Sequence, residues 1–230
     1  MLSPVKLAKP RIDVGLYTNR RDEMLSFWKD EVGLPYEELL PMGGGVQQHR
    51  LGLAGSVLKI NHSRDPLPDE PRAGYRELWI ARPGLAAPKP LIDPDGNRVV
   101  LVPDGHESVS RIALTVGTRE PPAFRRFYGD ALGLERVGEN AFRCGDSLLR
   151  VTRDPDAGPV GRMTGPGYRY FTVQVFGVDE EHAGIVARGG TEGRAPLTLG
   201  KVARISFVRD PDGNWIEISQ RASLTGPLPS

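Results

Sequence analysis

The sequence predicts an α+β fold assembled from tandem βαβββ modules, and two repeated signatures carry that reading. A hairpin signature occurs twice, as Asp93-Pro94-Asp95-Gly96-Asn97 and Asp210-Pro211-Asp212-Gly213-Asn214, each followed by a β-rich stretch. A helical signature also recurs: Phe27-Trp28-Lys29-Asp30-Glu31-Val32-Gly33-Leu34 is matched by Phe127-Tyr128-Gly129-Asp130-Ala131-Leu132-Gly133-Leu134. Ser56-Val57-Leu58-Lys59-Ile60 pairs with Ser147-Leu148-Leu149-Arg150-Val151 in the same way, and Gly74-Tyr75-Arg76 with Gly167-Tyr168-Arg169. The chain is therefore a tandem duplication of roughly a hundred residues per copy, too long for a solenoid repeat and right for two domains or half-domains.

Taken in order, Ile12 to Thr18 alternates as a strand, with Val14, Leu16 and Thr18 on one face and Asp13, Gly15 and Tyr17 on the other. A helix is expected next, capped by Asn19, with Leu25, Trp28 and Val32 at helical spacing and Gly33 as its stop. Residues 36–62 read as short strands broken by glycines. The Pro-rich stretch 65–71 leads to a strand over 76–81. Pro83, Pro88 and Pro90 then make a helix improbable before Asp93, so the second module lacks most of its helix.

The pattern restarts at Ile112 to Val116. A helix capped by Thr118 follows, with Pro121 and Pro122 in its first turn, then a strand pair within 141–152. After a Gly/Pro-rich loop come the strand 170–175, a helix capped by Asp179 and stopped at Gly189-Gly190, and the closing hairpin. In that hairpin Asp-Pro opens the turn and Asp-Gly-Asn tolerates positive φ. Ile216 and Ile218 share one face and Trp215, Glu217 and Ser219 the other, which puts a carboxylate opposite the packing layer. The expected division is a first half over 1–105, a second half over 106–223 and a frayed tail over 224–230.

With 230 residues, 39% of them hydrophobic, the chain can bury a sizeable core. Thirty basic residues against 29 acidic ones, without long single-sign blocks, make nucleic acid and anionic membranes unexpected partners. The single cysteine, Cys144, excludes an intrachain disulfide and a multi-cysteine metal site. It fits a reducing compartment. No apolar run of signal-peptide or membrane-spanning kind stands at the start of the sequence or further along, so a cytoplasmic location is expected.

The paired Asp-Pro-Asp-Gly-Asn turns, the Phe127-Tyr128 to Leu132-Gly133-Leu134 run and Phe207-Val208-Arg209 to Ile216-Glu217-Ile218 resemble the vicinal oxygen chelate superfamily. That superfamily holds glyoxalase I, extradiol dioxygenases, and fosfomycin and bleomycin resistance proteins. The resemblance implies that modules curve in pairs into two cup-shaped half-barrels, and that cup-facing residues on the first and last strands of each module hold a divalent metal. It also implies a homodimer. Fold alone does not assign an activity, because one fold hosts many.

Carried over position by position, the metal set largely fails. In the second half Glu217 matches a carboxylate ligand, while Arg111 (Ala113 if the register slips), Arg150 and Tyr170 stand at the other positions. The first half offers Asp13, Lys59, Glu77 and Val100. Cationic side chains repel a metal ion, so no metal or other cofactor is expected; the alternative is one iron, manganese or zinc ion on other ligands. Of the four histidines, His182 reads as a packing residue, His106 as solvated linker, and His49 and His62 have no ligand spacing.

Each half is expected to close its own cup: Asp13 with Lys59 in the first, which is filled and serves as scaffold, and Arg150 with Glu217 in the second. Arg111, Arg150 and Trp215 would then bind a small anionic organic molecule, with Tyr170 and Glu217 catalytic. The leading expectation is a metal-independent lyase or isomerase with Glu217 as general base. Two alternatives stand beside it: a non-catalytic ligand-sequestering protein of the bleomycin-resistance type walled by Trp79 and Trp215, and a metal-dependent dioxygenase or glyoxalase-like enzyme.

Overall fold

The computed structural model describes residues 5–229, so the ends of the expected first half and tail, residues 1–4 and 230, lie outside the described residues. The first module is β1 (Leu7–Thr18), α1 (Arg21–Ser26) with a π-helical turn (Phe27–Glu31), β2 (Tyr36–Gly43), β3 (Val46–Leu53) and β4 (Ser56–Ser63). The second has strands alone: β5 (Tyr75–Arg82), β6 (Lys89–Ile92) and β7 (Arg98–Pro103). The third is β8 (Ile112–Thr118), α2 (Pro121–Arg126) with a π-helical turn (Phe127–Ala131), β9 (Glu135–Gly138), β10 (Ala141–Cys144) and β11 (Ser147–Arg153). The fourth is β12 (Gly167–Val175), α3 (Val178–Ala187), β13 (Thr191–Leu199), β14 (Ala203–Arg209) and β15 (Trp215–Arg221), followed by the short α4 (Ala222–Thr225), which takes in the first two residues of the expected tail. No helix among the described residues is long and apolar enough to cross a membrane.

The predicted helix caps are corrected. Helices α1 and α2 are preceded by Arg20 and Glu120, whose backbone N–H groups donate to Thr18 Oγ1 and Thr118 Oγ1. Asn19 instead ties down the following connector, donating to the carbonyls of Ser63 and Asp65 and accepting from the Leu67 N–H. Helix α3 starts one residue before Asp179, whose carboxylate pairs with Arg204.

Both Asp-Pro turns are built alike. Asp93 Oδ1 accepts the N–H groups of Asp95 and Asn97 while Oδ2 accepts the Asn97 amide, and Asp210 repeats this with Asp212 and Asn214. Gly96 and Gly213 supply φ of 79° and 82° that other residues resist. Asn214 also accepts the Gly74 N–H, which ties the last hairpin to the start of β5.

The sheets do not follow the two halves of the sequence. One sheet has eight strands in the order β13-β14-β15-β12-β1-β4-β3-β2, joining the fourth module to the first; the other has seven, β6-β7-β5-β8-β11-β10-β9, joining the second to the third. The seams are antiparallel, β1 with β12 and β5 with β8. Between the sheets lies one large core. Leu16, Ile60, Phe171 and Ile218 of the first sheet meet Leu78, Leu114 and Val151 of the second, closed by Trp28, Phe124 and Tyr128 from the helices. Each fully buried large side chain there contributes about 1.5–3 kcal/mol from apolar burial.

Candidate functional site

Strand alternation sends one set of residues into the core and the other into the concavity of the eight-stranded sheet. Along β1 and β12 the core set is Val14, Leu16, Phe171 and Val173, which leaves Gly15, Tyr17, Tyr170, Thr172 and Gln174 for the concave side. The concavity is a cavity of about 660 Å³ lined by Tyr17, Lys59, Asn61, Tyr170, Gln174 and Glu217 at its base.

Its central feature is a buried polar trio. Lys59 Nζ lies 2.6 Å from Glu217 Oε2 and 2.7 Å from Thr172 Oγ1, and the Thr172 hydroxyl donates to the same Glu217 oxygen at 2.5 Å. Strand register produces it: Lys59 is paired with Gly15 across β4 and β1, and Glu217 with Thr172 across β15 and β12. Gly15 has no side chain for a reason, since a Cβ there would lie 2.2 Å from the Tyr170 ring.

Tyr170 crosses the seam of the two modules. Its hydroxyl accepts from Asn61 Nδ2 at 3.2 Å and Gln48 Nε2 at 3.4 Å, which leaves its own proton to give. Burial, and behind it the charge of Glu217, holds this phenol well above its ordinary value of 10.0. The same two causes push Tyr17 up to about 12, so both phenols stay protonated near neutrality.

The structure brings together Glu217 and Tyr170, keeps Trp215 beside Tyr170 across β12 and β15 but outside the cavity lining, and separates Arg111 and Arg150 from them. Arg150 lies in the other sheet, where β11 pairs with β8, and its guanidinium stacks 4.4 Å over Trp79 while pairing with Glu107. Arg111 is exposed just before β8. Trp215 stands behind the cavity wall, packed edge-on against Phe207 and covered by Arg209. The expected Asp13 to Lys59 pair is also absent: Asp13 accepts from Lys9 Nζ, the Val57 N–H and Gln174 Nε2. The partner of Glu217 is therefore Lys59, and Thr172 was missed because a threonine in a strand looks like any other.

The other concavity is closed. Val109 of the linker between the halves is fully buried among Val100, Val102, Ala113 and Leu148, and His106 stacks on Trp79 with ring centroids 5.8 Å apart. His182 is a packing residue as expected, bonded to Ser206 Oγ at 3.0 Å and Glu192 Oε2 at 2.8 Å. Ser206 is wholly buried and His182 nearly so, which keeps the hydroxyl and the imidazole from a substrate.

A divalent metal does not fit the residues at the base of the cup. The first and last strands of the two modules present a glycine, an ammonium, a hydroxyl and one carboxylate, and the ammonium already occupies the carboxylate. Among the described residues no three His, Cys, Asp or Glu side chains converge on a point.

Comparison with known proteins agrees with this architecture. Residues 109–218 match the family model described as the Glyoxalase/Bleomycin resistance protein/Dioxygenase superfamily. The fold is similar to that of glyoxalase I from Zea mays, with 14% identity over 91% of this chain and 92% of that one and a TM-score of 0.71. It is also similar to a putative dioxygenase from Bacillus subtilis, with 14% identity over 96% of this chain and 86% of that one and a TM-score of 0.65. At these identities the likeness is one of fold. No curated protein sequence matches the chain.

Proposed function

From the match of residues 109–218 to the Glyoxalase/Bleomycin resistance protein/Dioxygenase superfamily, we propose that the chain is a metal-independent lyase or isomerase acting on a small anionic carbonyl or carboxylate compound. The observation that carries this reading is the contact between Lys59 and Glu217 at the base of the cup. A cation able to steady an oxyanion comes with the chain itself, beside a carboxylate able to take a proton.

The residues divide the work as follows. Lys59 and Thr172 both engage Oε2 of Glu217, which fixes the carboxylate and leaves Oε1 for the substrate. The C–H bond next to the carbonyl breaks toward Glu217, its electron pair moves onto the carbonyl oxygen, and the Lys59 ammonium and Tyr170 hydroxyl hold the developing charge. Return of the proton to a neighbouring atom completes an isomerisation; loss of a group from the adjacent carbon completes an elimination.

The test is deuterium exchange of the α-protons of short α-keto acids in D₂O, followed by NMR. Exchange by the untreated chain should survive EDTA and fall by about a hundredfold or more in Glu217→Gln with the fold intact by circular dichroism. Exchange that persists in Glu217→Gln removes the general base; exchange lost to EDTA, with about one iron, manganese or zinc per chain by elemental analysis, replaces it with metal chemistry. A ligand-sequestering protein is the second reading, supported by the apolar wall of Leu197, Leu199, Ile205 and Phe207. It predicts ligand binding without exchange.

A further inference from the structure

Resting on the reading of the cup as a ligand site, we propose that Arg50 and Arg221 form its carboxylate subsite, that the ligand is an organic acid with an apolar body, and that Glu38 fills the subsite until the ligand displaces it. Arg50 faces the cup from β3, paired with Lys59 across β4, and Arg221 ends the face of β15 that carries Glu217 and Ser219. Both guanidiniums are sheltered, with 7% and 20% of their side chains exposed.

Their shared counter-ion serves them poorly. Glu38 Oε1 lies 2.9 Å from Arg50 Nε and 3.8 Å from Arg221 Nη2. Arg50 Nε is nonetheless a buried donor without a hydrogen bond, because the Glu38 oxygen lies off its N–H direction, and 3.8 Å is too long for Arg221. Among the described residues the only side-chain hydrogen bond Arg50 makes is from Nη1 to Gln48 Oε1 at 3.2 Å. A structural arginine–carboxylate pair is bidentate when geometry allows. Here one oxygen stands between two mutually repelling cations, and burial followed by the Arg50 charge lowers Arg221 from its ordinary value.

Glu38 is also easy to move, since β2 is the exposed edge strand of the sheet and the Glu38 side chain is 44% exposed. The charge inside the cup favours an anion: Arg50, Lys59, Arg194 and Arg221 line it together with the carboxylate of Glu217, and with Glu38 at the rim counted as well, the cations still outnumber the carboxylates by four to two. The opposite wall, Leu197, Ile205 and Phe207, is apolar. A carboxylate on the arginine pair would lay an apolar body along that wall. Gln174, another residue of the lining, has a buried Oε1 with no hydrogen-bond partner among the described residues.

The experiment is calorimetric titration of phenylacetate and of its neutral isostere phenylacetamide into the full chain and into Arg221→Gln and Glu38→Gln, both at the rim so that folding is kept. The acid should bind, and the amide at least about tenfold more weakly; Arg221→Gln should lose about tenfold for the acid only. Glu38→Gln should tighten the acid about two- to fivefold. Equal binding of acid and amide, unchanged acid affinity in Arg221→Gln, or no acid binding even to Glu38→Gln overturns the proposal. Loss of α-proton exchange in Glu217→Gln together with an indifferent Arg221→Gln would reject the subsite and keep the catalytic reading. Arg221-dependent acid binding with exchange that ignores Glu217 would do the reverse.

Discussion

Lys59 Nζ lies 2.6 Å from Glu217 Oε2, with 5% and 11% of the two side chains exposed, although the residues come from the first and last modules of the chain. Neither charge has water enough to stand alone. Lys59→Met should strand the carboxylate and cost about 3–5 kcal/mol, whereas Lys59→Met with Glu217→Gln should recover most of that loss. Urea denaturation of the singles and the double measures the coupling; a double variant as unstable as the two losses added would mean that the pair is not coupled.

Gly15 and Tyr170 set the depth of the cup. An alanine methyl at residue 15 would lie 2.2 Å from the tyrosine ring, and Phe207, with ring centroids 6.3 Å away, blocks one route of escape. Gly15→Ala should destabilise by about 1–3 kcal/mol and should also weaken ligand binding, because the ring is pushed into the cavity. A variant with unchanged denaturation midpoint and unchanged binding would show that the ring moves freely.

Local chemistry was legible in the sequence wherever it acts over a few residues. The Asp-Pro-Asp-Gly-Asn turns, both Phe-aromatic helices and the helix missing from the second module could be read because each is decided by neighbours in the chain. Alternation likewise told which face Glu217, Lys59 and Arg150 occupy. It could not tell which sheet. Strand period decides a face, while the seam partner of β1 is decided by two long connectors, residues 64–74 and 154–166, that cross between the sheets. A duplicated chain has the same local pattern whether modules pair within a half or across halves. That degeneracy is why Arg150 was assigned to Glu217 and why Lys59 was given to Asp13. Cap residues failed for a similar reason, since tertiary partners took Asn19 and Asp179 away from their helix ends.

Asp210 makes the stability depend on pH. It accepts the Tyr128 hydroxyl at 2.9 Å as well as its own turn N–H groups, yet burial dominates and raises its carboxyl from the ordinary 3.8 to about 7. A raised folded-state value means that the native chain holds a proton the unfolded chain has released. The stabilisation is therefore complete below pH ~4 and lost as pH rises toward ~7, by about 4 kcal/mol at most. Asp93, raised chiefly by burial, adds in the same direction. Unfolding free energies measured from pH 4 to 8 should fall with pH, and Asp210→Asn should flatten the slope; an unchanged slope would assign it to other groups.

Arg150 tests whether the closed concavity matters to the open one. Its guanidinium stacks on Trp79, donates to the Glu107 carbonyl and pairs with the Glu107 carboxylate. It thereby pins a linker in which Glu107 and Ser108 have φ of 45° and 65°, a conformation that non-glycine residues hold only when their surroundings impose it. Arg150→Ala should release the linker at a cost of about 1–2 kcal/mol, and limited proteolysis should find a new cut between residues 104 and 109. Because Arg150 belongs to the sheet of the second and third modules and Glu217 to that of the first and fourth, ligand affinity and α-proton exchange should be unchanged. Loss of either in a folded Arg150→Ala would mean that the two concavities communicate through the shared core.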